Sequence, residues 1–245
     1  MIALLRKELL LYFTSFLFYA VAAVFLVLAG YFFYTNVDFY VRFGGMNLER
    51  GLWQYQFYDM RQLLLVLVPL LTMRLFAEER RQGTLELLWT YPVRDGDIIA
   101  AKFVACLLVI TVIMLGTLTY PVIIGRLHPV AVGPLVAGYL GLWLLAAACV
   151  ACGLFVSALT DSQLVAGAGT YGVLLFFWIL TWNEAAVSEG ALRLLQPFSL
   201  FDRFQAFARG AIETRDVSYL VQFTVAFLGF TFFALDARRW RGIRR

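Results

Sequence analysis

The chain has 245 residues, 62% of them hydrophobic and only 15% charged, with a formal net charge of +4. Soluble domains carry roughly 25% charged residues. This composition, with several long uncharged runs, therefore excludes an ordinary soluble domain and indicates a helical membrane protein. The excess of positive charge comes largely from the tail Arg238-Arg239-Trp240-Arg241-Gly242-Ile243-Arg244-Arg245. After a final span such a tail is a topology signal rather than a nucleic-acid site.

In chain order, residues 1–15 carry Arg6-Lys7-Glu8 among leucines, with Ile2, Leu5, Leu9, Tyr12 and Phe13 at helical spacing on one side. This reads as a short helix lying at the membrane surface. The run that follows is too long for the core of a cleaved signal peptide and lacks a small-x-small exit, so it is taken as a span. Lipid offers no partner to backbone N–H and C=O groups, so each span must be a helix that satisfies its own. Six spans are predicted, at 16–35, 61–76, 98–124, 134–159, 164–182 and 217–235, within one membrane domain covering 1–245. Residues 36–60 are predicted to be a polar, aromatic loop. Pro69 should kink the second span, because proline removes a backbone hydrogen bond. Thr160-Asp161-Ser162-Gln163 is a tight turn between spans four and five. A longer connection, 183–216, carries Phe198, Phe201, Phe204 and Phe207 at every third residue; it reads as an interfacial or re-entrant helix pair, or else as an exposed partner-binding loop.

The densest charge lies in the connector between spans two and three, Phe76 to Val93. Arg80 and Arg81 are placed in the last turn of the second helix as it leaves the bilayer, where positive charge suits the exposed carbonyls. Gly83 fits a left-handed helix end. Thr84 is a candidate N-cap, with Glu86 in the first turn of a short helix, Leu85–Tyr91, that must stop at Pro92. Leu85, Leu88 and Trp89 form the apolar side of that helix, and Asp97 is placed to cap the third span. On the residues alone, a surface loop of solvated charges is an equal alternative.

Counts of Arg and Lys near span ends orient the chain. One side would hold Arg6, Lys7, Arg74, Arg80, Arg81, Arg94, Lys102 and the five tail arginines; the other would hold Arg42, Arg50, Arg61, Arg126, Arg193, Arg203, Arg209 and Arg215. The second set is spread over longer loops, so both termini and the connector are predicted to be cytoplasmic. Small residues such as Gly138, Gly141, Gly153, Gly167, Gly169 and Gly172 can bring helices close, within one chain or across a dimer seam. Cys149-Val-Ala-Cys152 has redox-motif spacing, but it lies in a small-residue helical run where cysteine packs as a small apolar residue.

The sequence Glu78-Glu-Arg-Arg-x-Gly83-Thr-Leu-Glu-Leu-Leu-x-x-x-Pro92-Val resembles the connector of ABC-2-type permeases, the membrane subunits of one class of ABC transporter. The segment Phe201-Asp-Arg-Phe204 through Tyr219 is most similar to the gliding-motility type of these permeases. The resemblance implies an all-α integral membrane protein with an N-terminal surface helix, a cytoplasmic coupling helix between spans two and three, and an extracytoplasmic helical connection between spans five and six. It further implies a permease subunit of an exporter in the inner membrane, working as a homodimer or beside a related permease. The coupling residues would be Glu78, Glu79, Arg80, Arg81, Gly83, Thr84, Leu85, Glu86 and Leu88.

No G-x-x-x-x-G-K-[ST] phosphate loop occurs, so a non-catalytic subunit is expected, with no cofactor of its own and with ATP bound by a separate ABC ATPase chain. The span interiors read as almost free of charge, which argues against an ion-coupled carrier. The sole histidine, His128, lies in a loop beside Pro129 and supports no intramembrane protease. The alternative of a different class is a membrane anchor or force-transmitting part of an ATPase-driven surface complex, with a periplasmic auxiliary protein as a further partner.

Overall fold

Continuous apolar sequence without internal breakers forms helix wherever a bilayer removes water as an alternative hydrogen-bond partner. The computed structural model describes residues 1–42, 48–83, 94–126, 131–180 and 199–242. They form ten helices: α1 (Ile2–Phe13), α2 (Phe16–Arg42), α3 (Leu48–Thr72), α4 (Ala77–Arg81), α5 (Asp95–Gly116), α6 (Thr119–Gly125), α7 (Val132–Leu159), α8 (Gln163–Ile179), α9 (Phe204–Ala208) and α10 (Thr214–Gly242). No strand occurs among the described residues.

Five helical stretches are long and apolar enough to cross a membrane: Phe16–Arg42, Gly51–Arg81, Asp95–Gly125, Val132–Leu159 and Thr214–Ala237. The predicted fifth span, 164–182, corresponds to α8, which has 17 residues and is shorter than the others. Its predicted last residues, 181 and 182, fall outside the described residues, as does the first part of the 183–216 connection, through residue 198.

The helix α7 is the centre of the bundle. Of its most apolar window 78% is buried, against 22% for α2 and 11% for α10, which lie on the outside of the bundle. Its sequence explains this placement. A Cβ at Gly138 would overlap the Phe57 ring of α3, one at Gly141 would overlap Phe207 of α9, and one at Gly153 would overlap Thr72 of α3. Each missing side chain is the space into which a neighbour packs. Cys149 and Cys152 are fully buried in the same helix as free thiols.

Three expectations are corrected. The described residues of the 36–60 stretch are helical rather than a loop: α2 continues to Arg42 and α3 starts at Leu48, while 43–47 fall outside the described residues. Their polar and aromatic side chains pair between the two helices. Asn36 donates to Asp59 at 2.8 Å, Gln56 donates to the Ala29 carbonyl at 3.2 Å, and Phe33 stacks on Trp53. The helix α5 begins at Asp95 with Arg94 as its N-cap, so Asp97 lies inside the first turn and makes no side-chain cap. The inward face of α1 is also rotated from the predicted one. Ile2 is 84% exposed and Phe13 39%, whereas Glu8 is buried and Leu4, Leu9 and Tyr12 pack on the core. The partner that draws Glu8 inward is described below. Pro69 lies inside α3, close to its end at Thr72.

The aromatic repeat folds onto the bundle. Phe201, Phe204 and Phe207 are buried, while Phe198 falls outside the described residues. Arg203, ahead of α9, binds Asp216 in the first turn of α10 at 3.1 Å, and Arg61 of α3 donates to the Phe201 carbonyl at 3.1 Å.

Candidate functional site

At the end of α3 the backbone ladder breaks. Leu75 N–H reaches back only three residues, to Thr72 O, at 3.1 Å. The next two N–H groups, of Phe76 and Ala77, donate instead to the Ser157 hydroxyl of α7, at 3.1 and 3.2 Å. That hydroxyl in turn donates to Met73 O at 3.4 Å. One fully buried serine thus replaces the hydrogen bonds that the break removes. This corrects a sequence expectation: Arg80 and Arg81 lie not in the last turn of the second helix but in the separate short helix α4.

Charge then fixes α4 on both flanks. Glu79 accepts from Lys7 of α1 at 3.1 Å and lies 2.9 Å from Lys102 of α5. Lys102 also binds Glu8 of α1 at 2.9 Å, and its ammonium sits 5.3 Å from the centre of the Phe76 ring. The order Lys7, Glu79, Lys102, Glu8 alternates in sign and sums to zero. With Lys102 only 2% exposed, such pairing offsets part of the cost of burying its charge. On the other flank Arg80 donates to Asp161 and to the Ala158 carbonyl, both at 2.9 Å. It thereby places a cation at the C-terminal end of α7, where the helix dipole favours it. Nearby, the Tyr12 hydroxyl donates to Leu71 O at 3.0 Å; burial pushes its pKa well above the ordinary tyrosine value, so it stays a donor.

The short helix α4 is therefore held by α1, α5, α7 and the turn into α8. Gly83 follows with φ +68, the left-handed conformation expected of it, and its N–H donates to Arg80 O at 3.0 Å. Of the nine predicted residues, Glu78, Glu79, Arg80, Arg81 and Gly83 are gathered here. Thr84, Leu85, Glu86 and Leu88, with the predicted helix Leu85–Tyr91, fall outside the described residues. The side chains divide by exposure. Glu79 and Arg80 are turned inward at 13% and 14%, whereas Arg81 projects at 65%.

Glu8, Lys102 and Ser157 were not found as site residues from the sequence; Lys102 was counted only among the charges near a span end. It sits within α5, in a stretch apolar enough to span the membrane. Two signals pointed to it. It is one of two lysines in the chain, and a lone charge in an apolar helix needs a partner. Ser157 carried no signal, since a hydroxyl in an apolar helix ordinarily bonds its own backbone.

Apolar helices of membrane-spanning length around one buried helix, with charge gathered at one connector, define a multi-pass membrane protein. The chain belongs to the ABC-2 family transporter proteins: the profile of that family matches residues 2–238, nearly the whole length. A comparison with curated proteins gives no match.

Proposed function

We propose that this chain is the permease subunit of an ABC exporter, driven by a separate ATPase subunit that presses on the segment following Gly83. The observation that carries this is the anchoring of α4. Its ion pairs and the Ser157 bridge join it to α1, α5, α7 and the α7–α8 turn. A displacement of residues 84–93 would therefore reach most of the bundle at once, rather than being absorbed by a loose loop. The family membership supports pairing with an ABC ATPase, and the arginine distribution supports a cytoplasmic connector with both termini on that side of the inner membrane. Two membrane halves are needed for one transporter, supplied by a second copy or by a related permease. The segment 201–219 favours the gliding-motility type within the family.

Gly83 gives the test. Its φ of +68 is costly for any side-chain-bearing residue and is closed to proline, which is locked near −65°. Gly83→Pro is expected to uncouple ATP hydrolysis from transport in reconstituted vesicles while the bundle stays folded. Unchanged coupling in Gly83→Pro would remove this segment from the mechanism.

A further inference from the structure

Two hollows lie end to end along the outside of α3. The first, of about 310 Å³, sits between α1, the start of α2 and the α3–α4 junction; Lys7, Tyr12, Ser15, Arg74 and Glu78 line it at the polar end and Leu70 at the other. The second, of about 180 Å³, is an apolar groove between α2 and α3, lined by Val21, Val24, Phe25, Leu63, Val66 and again Leu70. Leu70 is their shared wall, so the two form one slot with a charged mouth and an oily tail. Val24 and Val66 are 59% and 53% exposed, so the groove opens sideways toward the bilayer.

The dimensions and the chemistry specify an occupant. From Leu63 to the end of α3 at Thr72 is nine residues of chain, about 14 Å at the helical rise, and Arg74 lies two residues beyond it. Half of a bilayer's hydrocarbon core is about 15 Å. At the mouth, Arg74 is exposed and spends one N–H on the Ser15 hydroxyl at 3.1 Å; the rest of its planar cationic fork is suited to a phosphate. One turn further along the chain, Glu78 gives its Oε1 to Arg81 and Gln82. Its Oε2 is buried and, among the described residues, has no donor. A buried carboxylate oxygen without a donor is costly unless a ligand supplies one.

We propose that this slot holds one glycerophospholipid from the leaflet at the connector end, with its phosphate on Arg74, a primary ammonium on Glu78 Oε2 and one acyl chain in the groove. The headgroup class is therefore ethanolamine-like: choline presents no N–H to Glu78, and glycerol presents no charge. Such a lipid lies against both α1 and α4 and fills the space between the surface helix and the connector. The inference requires only that the chain is embedded in a bilayer, so it stands or falls apart from the ATPase coupling.

The test is native mass spectrometry of the purified full chain in mild detergent. It is titrated with an equimolar mixture of phosphatidylethanolamine, phosphatidylcholine and phosphatidylglycerol of identical acyl chains. One tightly retained lipid per chain is expected, with ethanolamine favoured. Glu78→Gln keeps the side-chain volume and should abolish that preference, a change of about ten- to a hundredfold for one charge-assisted hydrogen bond. Arg74→Gln should weaken retention of all three. Val66→Trp, at an exposed position, should fill the groove and release the lipid without unfolding the bundle. Equal retention of the three headgroups by the unmodified chain, or undiminished retention by Val66→Trp, would mean ordinary annular lipid only and overturn the proposal. A lipid that is cargo rather than resident would instead be lost when ATP is turned over in the assembled transporter, and that outcome also contradicts the proposal.

Discussion

Lys102 shows how strongly a single residue can constrain this fold. An ammonium that is 2% exposed lies 2.9 Å from two carboxylates contributed by different helices. Removing it alone leaves Glu8 without a counter-ion and Glu79 with only the half-exposed Lys7. Lys102→Met should therefore cost about 3–5 kcal/mol, read as a fall in the melting temperature of the purified protein. Replacing the carboxylates as well, by Glu8→Gln and Glu79→Gln, should recover most of that loss, because the orphaned charges are gone and Lys7 is exposed enough to be solvated. A triple variant no more stable than Lys102→Met would show that the ion pairs contribute more than their desolvation cost. Ser157→Ala makes the companion case. Two buried N–H groups lose their acceptor, and a loss of about 1–3 kcal/mol is expected. Breaking the Arg80–Asp161 pair by Asp161→Asn should cost less than about 1 kcal/mol, since Asp161 is 70% exposed. The sequence showed Arg6-Lys7-Glu8 only as charges among leucines in a surface helix. Their logic was hidden because the partner of Glu8 lies 94 residues away, and only packing brings the two together.

Among the elements, α7 decides how the bundle closes. Gly153 faces Thr72 at the level where α3 ends, and a Cβ there must displace the Thr72 side chain. Gly153→Ala is expected to destabilise by about 1–3 kcal/mol through overpacking. The same change at Gly172, which has nothing within 4 Å, should be nearly neutral. Melting curves of the two variants, run side by side, check the contrast; equal effects would mean that the close approach is not what holds α3 to α7. The long apolar helices were legible from hydrophobicity and length, because the bilayer leaves no other way to satisfy their backbones. The stretch 36–60 was not legible. Its helicity depends on partners such as Asp59 for Asn36 and Trp53 for Phe33, which no local periodicity announces. The separation of α4 from α3 was hidden for the same reason, since the residue that stabilises the break, Ser157, belongs to another helix.

At the scale of the whole molecule, the proposed permease, whose sequence carries no G-x-x-x-x-G-K-[ST] phosphate loop, needs a place where a separate ATPase can act. The segment after Gly83 leaves a short helix that is tied into the bundle on two flanks. Arg81, exposed beside it, and Leu88, on the apolar side of the predicted coupling helix, are the contacts we propose for the partner. Glu79 and Arg80, turned inward, would pass the motion on. The most direct test is to purify the tagged chain from its native membrane and identify by mass spectrometry any protein with a phosphate-binding loop that accompanies it, for the unmodified chain and for Leu88→Asp. An ABC ATPase is expected in near-equal amount with the unmodified chain and is expected to be lost from Leu88→Asp, with the melting temperature of the permease unchanged. No ATPase with the unmodified chain, or the same amount with Leu88→Asp, would contradict the proposed coupling.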